Sequence, residues 1–176
     1  SQATQACARV RSVHRRVTGT ASDGQPYAAN DPHLLEWVHL AELDSFLVAH
    51  QRYGSTRLTA QQADRYVHGM ARVASELGVV RPPTTVAEVA TRLRQYRSEL
   101  RSTPEARAGA RFLLTPPMPA PARVPYLAVY AAGASLLPWW AKLGLGLPPL
   151  IVSEPTVVRP AARAVLDVVR WSASAA

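Results

Sequence analysis

NDPHLLEWVHLAELDSFLVAHQRYG, residues 30 to 54, decides how the chain is read. Asp31 stands where a helix N-cap belongs. Pro32 takes the first helical position, where a missing N–H costs nothing, and Gly54 ends the run. No other Pro or Gly interrupts it, so this is the longest helix the sequence supports. One stripe along it runs Leu35, His39, Leu43, Phe46 and His50, at the spacings of three and four that mark a helix face.

Working outward, nearly everything else also reads as helix. Toward the amino terminus Cys7, Val10, His14 and Val17 recur at helical spacing. A loop rich in Gly, Asn and Asp, GTASDGQPYAAND (19 to 31), joins that segment to the long helix. Toward the carboxyl terminus a capping box, Thr59 with Gln62, opens a third helix that stops at Gly78. Thr85 with Glu88 opens a fourth, with Val89, Leu93, Tyr96 and Leu100 as its apolar stripe. Thr103-Pro104 caps a short fifth. TPPMPAPARVP (115 to 125) carries five prolines and reads as an extended connection. Residues 126 to 152 hold one charge, Lys142. The uncharged run before it is shorter than the ~20 residues a bilayer span needs, and Pro138 breaks it, so a buried or interfacial hairpin is expected. A last helix starts at Pro160. No strand alternation and no internal repeat stand out. The expectation is an all-α, single-domain helical bundle around an apolar pocket, spanning residues 1–176 with 115–125 as an internal connection.

Composition bounds the function. The chain has 176 residues, 48% hydrophobic and 18% charged, which suits one globular domain with a real core. Net charge is +8, from nineteen arginines, one lysine and twelve acidic residues. The arginines are scattered without a block, and their excess over lysine reads as codon bias rather than a nucleic-acid signature. Arg9, Arg11, Arg15 and Arg16 form one basic patch with no recognition motif beside it, so no nucleic-acid partner is expected. A single cysteine, Cys7, excludes an internal disulfide framework and a Cys-rich zinc site. The chain begins at Ser1, already within a helical pattern, and is expected to be a piece of a longer protein.

Two histidines invite chemistry. His14 shares a stripe with Cys7, Val10 and Val17. A buried imidazole must be satisfied by a carbonyl or carboxylate, or else by a metal. As an iron ligand it would have Arg11 and Arg15 near it to meet carboxylates. His39 follows Glu36 at the spacing used for di-iron chelation in four-helix proteins, but no second Glu-x-x-His exists in the chain. His39 is therefore a second candidate ligand, a cavity-lining residue or a core histidine. His-Glu-x-x-His, Gly-x-Gly-x-x-Gly, the phosphate-binding Gly-x-x-x-x-Gly-Lys and Gly-x-Ser-x-Gly are all absent.

RVRSVHRRVTG (9 to 19), DGQPYAANDPHLLEWVHLAELDSFLVAHQRYG, LGVVRPPTTVAEV and LLPWWAKLGLGLP resemble consecutive blocks of one family. It is the haem-dependent oxygenase family of the latex-clearing rubber oxygenases and the fungal oxygenase of mycophenolic acid synthesis. The resemblance implies an all-α fold around haem b and cleavage of carbon–carbon double bonds in isoprenoid chains. It places the proximal iron ligand on His14, with His39 the alternative, and the matching arginine on Arg11. Trp37, His39 and Asp44 come over as cavity-lining candidates. The family's distal residues precede the Arg-x-x-His block, and nothing in this chain matches them.

The expected function is thus a haem-b-dependent oxygenase, with iron as its metal, using dioxygen on an apolar small molecule or polymer. Cytoplasmic or peripherally membrane-associated placement is expected. The alternative is a non-enzymatic all-α module that binds a partner protein or a membrane surface through 126–152.

Overall fold

A computed structural model describes residues 2–147 and 154–174. The chain is all-α. Among the described residues it forms eight α-helices and one two-stranded ribbon. They fall into two compact units: residues 1–51 with 56–100, and residues 52–55 with 101–176.

The first unit opens with α1 (Gln2–His14) and then the ribbon, β1 (Thr18–Thr20) and β2 (Pro26–Ala28). The ribbon is antiparallel, with Gly19 opposite Tyr27. It lies inside the expected loop 19 to 31, where three-residue strands are too short to show alternation. Gly19 leaves room for the Tyr27 ring: a Cβ would stand 2.6 Å from the Tyr27 hydroxyl, which would have to shift. Helix α2 (Pro32–Tyr53) starts where expected, with Asp31 Oδ1 accepting the His33 N–H at 2.7 Å. Helix α3 (Ala60–Leu77) carries the full Thr59–Gln62 capping box and ends on Gly78 in the left-handed conformation, φ 113°. Helix α4 (Val86–Tyr96) is capped by Thr85, but Glu88 turns back to the Thr84 N–H at 2.7 Å, so the box is only half closed.

The core of this unit comes from three helices: Leu40, Leu43 and Leu47 of α2, Ala63 and Val67 of α3, Val89 and Tyr96 of α4. Each aliphatic side chain sealed there contributes about 1.5–3 kcal/mol. The buried line of α2 differs from the expected stripe. Leu43 and His39 hold, but Phe46 is 57% exposed and Leu47 takes its place. Gln51 closes the end of the unit, pairing its amide with both the N–H and the C=O of Leu58 at 3.1 and 3.0 Å.

In the second unit follow α5 (Pro104–Leu114), α6 (Ala120–Leu136), α7 (Trp139–Leu145), a π-helical turn (Glu154–Val158) and α8 (Arg159–Ser174). Its core is Tyr53, Ala132, Val158 and Ala162, with the Tyr53 hydroxyl 3.2 Å from Ser135 Oγ. Ser102 Oγ and Arg107 Nε both donate to the Gly144 carbonyl, which satisfies the end of α7.

One expectation needs correction here. The proline-rich stretch 115–125 is irregular only to Pro119, and α6 begins at Ala120. Pro121 falls in the first turn, where it is tolerated, and Pro125 gives up one ladder bond a turn later. The apolar segment 126–152, expected to be a buried or interfacial hairpin, is not a buried one. Ala132 is its one buried residue among those described, while Trp139 and Leu143 are each 73% exposed. Residues 148–153 of that segment lie outside the described residues. Among the described residues no helix is long and apolar enough to cross a membrane.

Candidate active site

All six candidate residues, Arg11, His14, Arg15, Trp37, His39 and Asp44, belong to the first unit. Helix α1 packs against α3. The face it turns inward carries Cys7, Arg11 and His14 at i, i+4 and i+7, while Val10, Val13 and Val17 stay exposed. The expected stripe of Cys7, Val10, His14 and Val17 is therefore rotated toward the arginine. The physical reason is on α3. Arg11 Nη1 donates to the Glu76 backbone carbonyl and lies 3.7 Å from the Glu76 carboxylate. That partner pulls a charged residue into the interface in place of a valine. Arg11 thus already has a carboxylate, whereas Arg15 is exposed with no ion pair among the described residues.

His14 is the last residue of α1. Its backbone carbonyl accepts from the Val17 N–H at 3.1 Å, which fixes the helix end. The residue is half-buried, and its Nδ1 is sealed from solvent with no hydrogen-bond partner. His39 is 6% exposed beside Leu40 and Leu43, and its Nε2 is likewise sealed and unpartnered. Burial lowers the His39 pKa, against an upward pull from Glu36. Burial thus favours the uncharged imidazole, the form a metal would need. An unpartnered buried ring nitrogen costs about 1–3 kcal/mol. Two in one unit are the strongest chemical signal among the six residues.

The remaining candidates do not gather around these rings by hydrogen bonding. Trp37 is half-buried, with its ring 5.5 Å from that of Tyr96. Asp44 is exposed at its surface, although partial desolvation raises its carboxyl above the usual range. Among the described residues no side chain of the six is hydrogen-bonded to another, and no group of three His, Cys, Asp or Glu able to hold a metal occurs.

Glu36, the partner in the Glu-x-x-His pair, is committed elsewhere. Arg92 Nη1 donates to its Oε1 at 2.6 Å, and the Tyr96 hydroxyl lies 3.1 Å from its Oε2. That hydroxyl also meets the carbonyl and Nδ1 of His33, while His33 Nε2 sits 2.6 Å from Glu99. This His33–Tyr96–Glu36–Arg92 network joins α2 to α4, and sequence reasoning missed it. Tyr96 was legible as a buried stripe residue. Nothing local shows that its hydroxyl would need acceptors from a helix some sixty positions away.

Helices closed over an apolar core, with a buried imidazole, His39, and a half-buried one, His14, each carrying a sealed and unpartnered nitrogen, define an all-α domain with candidate ligand groups in its first unit. The family model for the catalytic domain of the ER-bound oxygenase mpaB/B' and rubber oxygenase matches residues 1–171, and the chain belongs to that family. The family is one of oxygenase catalytic domains, a chemistry that joins dioxygen to an organic substrate. No curated protein and no solved structure gives a significant match.

Proposed function

We propose that this domain works as a haem-b-dependent oxygenase on an apolar, isoprenoid-like substrate, with His14 as the iron ligand. The observation that carries the reading is the sealed, unpartnered Nδ1 of His14 at the end of α1. His14 would hold the haem iron more readily than His39. It is half-buried at a helix end, so a ring nitrogen can be reached without opening the core, whereas His39 is packed among the leucines of α2.

When bound, haem supplies the activation of dioxygen. The chain's own residues do the rest. His14 holds its imidazole in place through the packing of α1 on α3. Arg15, exposed and without an ion pair among the described residues, would meet a propionate. Arg11 is less available, because Glu76 already holds one of its nitrogens. Trp37 and His39 would line the apolar side and keep water out, whereas Asp44 is exposed. With no span-forming helix among the described residues, a cytoplasmic or peripheral membrane location fits this reading.

The test is the absorption spectrum of the protein reconstituted with haem. A Soret band that His14→Ala abolishes and His39→Ala leaves is the expected result. A band lost with His39→Ala instead moves the ligand to His39, and no haem uptake at all defeats the reading.

A further inference from the structure

The turn between α5 and α6 holds a cleft of about 320 Å³, lined by Leu114, Pro116, Met118, Arg123, Tyr126 and Leu127. It is built by the second unit alone. The Tyr126 hydroxyl donates to the Leu113 carbonyl and ties the start of α6 to the end of α5. Around the cleft, large apolar side chains point outward: Phe112 is 60% and Val124 75% exposed, with Leu113 and Leu127 beside them. Proximity to Pro116, Pro119 and Pro121 makes this tip stiff, so exposing these groups is a property of the fold.

Its charge is one-sided. Between Glu105 and Glu154 the sequence has no acidic residue, but it has Arg107, Arg111, Arg123 and Lys142. None of the four forms an ion pair among the described residues. Among the described residues Arg107, Arg111 and Lys142 donate only to backbone carbonyls, and Arg123, at the cleft, has no side-chain partner. The first turn of α6 has no side-chain cap, and it offers little by way of donors, since Pro121 has no N–H and the Ala122 N–H donates to the Pro119 carbonyl.

From this we infer that the α5–α6 tip is a docking surface for an anionic lipid bilayer. Phe112, Leu113, Val124 and Leu127 enter the headgroup–acyl boundary, and Arg111 and Arg123 meet the lipid phosphates. Apolar groups rimmed by unpaired arginines match such an interface on both counts. The surface lies at 112–127, earlier in the chain than the expected 126–152. It does not depend on haem, so it stands or falls separately from the proposed function.

The experiment is co-sedimentation of the full chain with phosphatidylcholine vesicles and with mixed phosphatidylcholine–phosphatidylglycerol vesicles. Binding to the mixed vesicles should be at least about tenfold stronger, and salt should weaken it. Arg111→Glu with Arg123→Glu should cost about tenfold or more. Phe112→Ser with Val124→Ser should do the same, because it removes the inserted area. Both pairs are exposed, and the far-ultraviolet circular dichroism should not change. In a separate variant, Val124→Trp should show a blue-shifted emission with mixed vesicles only. Absence of binding to mixed vesicles at low salt overturns the proposal. So does binding that ignores both double substitutions, or an unshifted Val124→Trp. A concentration-dependent dimer that Phe112→Ser with Val124→Ser dissolves, without vesicle binding, would show that a second copy covers the tip instead.

Discussion

The Tyr96 hydroxyl lies 3.1 Å from Glu36 Oε2, and Glu36 meets Arg92 through its other oxygen at 2.6 Å. A nearly sealed phenol therefore caps an ion pair between α2 and α4. Tyr96→Phe keeps the ring in the core but leaves Glu36 short of a donor, so it should cost about 1–2 kcal/mol in urea unfolding. Tyr96→Ala should cost about 3–5 kcal/mol, because it also opens a cavity beside Trp37.

The same hydroxyl sets a limit at high pH. Burial, and then the Glu36 charge, push the Tyr96 pKa well above its ordinary value of 10. The folded chain thus keeps this proton after the unfolded chain has released it. Stability is full below about pH 10 and falls as pH rises from there toward the folded-state pKa. Thermal unfolding across that range should show a loss that is smaller in Tyr96→Phe.

His39 acts at the other end of the scale. Its pKa is lowered from 6.5 by burial, so the unfolded chain binds the proton first. Stability is present above about pH 6.5 and declines as pH falls below it. His39→Leu removes both the titration and the sealed, unpartnered Nε2. It should flatten the acid side of the stability–pH curve and leave the protein as stable at neutral pH, or about 1 kcal/mol more so.

The ends of α3 should be individually measurable. Thr59→Ala breaks the capping box and should cost about 1 kcal/mol. Gly78→Ala forces a side chain into a left-handed conformation, with a Cβ 3.2 Å from Leu35 Cδ1. About 1–2 kcal/mol is expected there. The two sites are far apart on the helix, so the double variant should be close to additive.

Arg11 and Glu76 should be a weak pair. Their carboxylate contact is 3.7 Å and partly exposed, so a double-mutant cycle should give under about 1 kcal/mol and lose most of it in high salt. Arg11→Met with Glu76→Gln should leave α1 folded against α3.

Several elements were legible before any coordinates, and they share one trait. Asp31 with Pro32, Thr59 with Gln62, Gly78, and Thr103 with Pro104 each mark a helix end through bonds made within a few residues. The same local logic counted against a di-iron site, since this sequence holds one Glu-x-x-His. It failed at the prolines: 115–125 read as extended, yet a helix begins inside it, because the first turn has no N–H ladder for a proline to break. The candidate site was half legible. His14 and His39 were picked out as imidazoles on helical stripes, and both do carry sealed, unpartnered nitrogens. The His33–Glu99 contact and the bonds of Tyr96 were not visible, because their partners are distant in sequence.

By itself the sequence determined that this chain is a set of capped helices of one oxygenase family, with histidines placed on helical stripes. Only the tertiary structure decided which side of each stripe is buried. On α1 the Glu76 carboxylate and carbonyl drew Arg11 inward and left Val10 and Val17 at the surface. On α2 the packing of α3 and α4 chose Leu47 over Phe46. A cap is settled by neighbours along the chain, but a buried face is settled by whatever packs against it, and helical periodicity leaves several arcs open until that partner arrives.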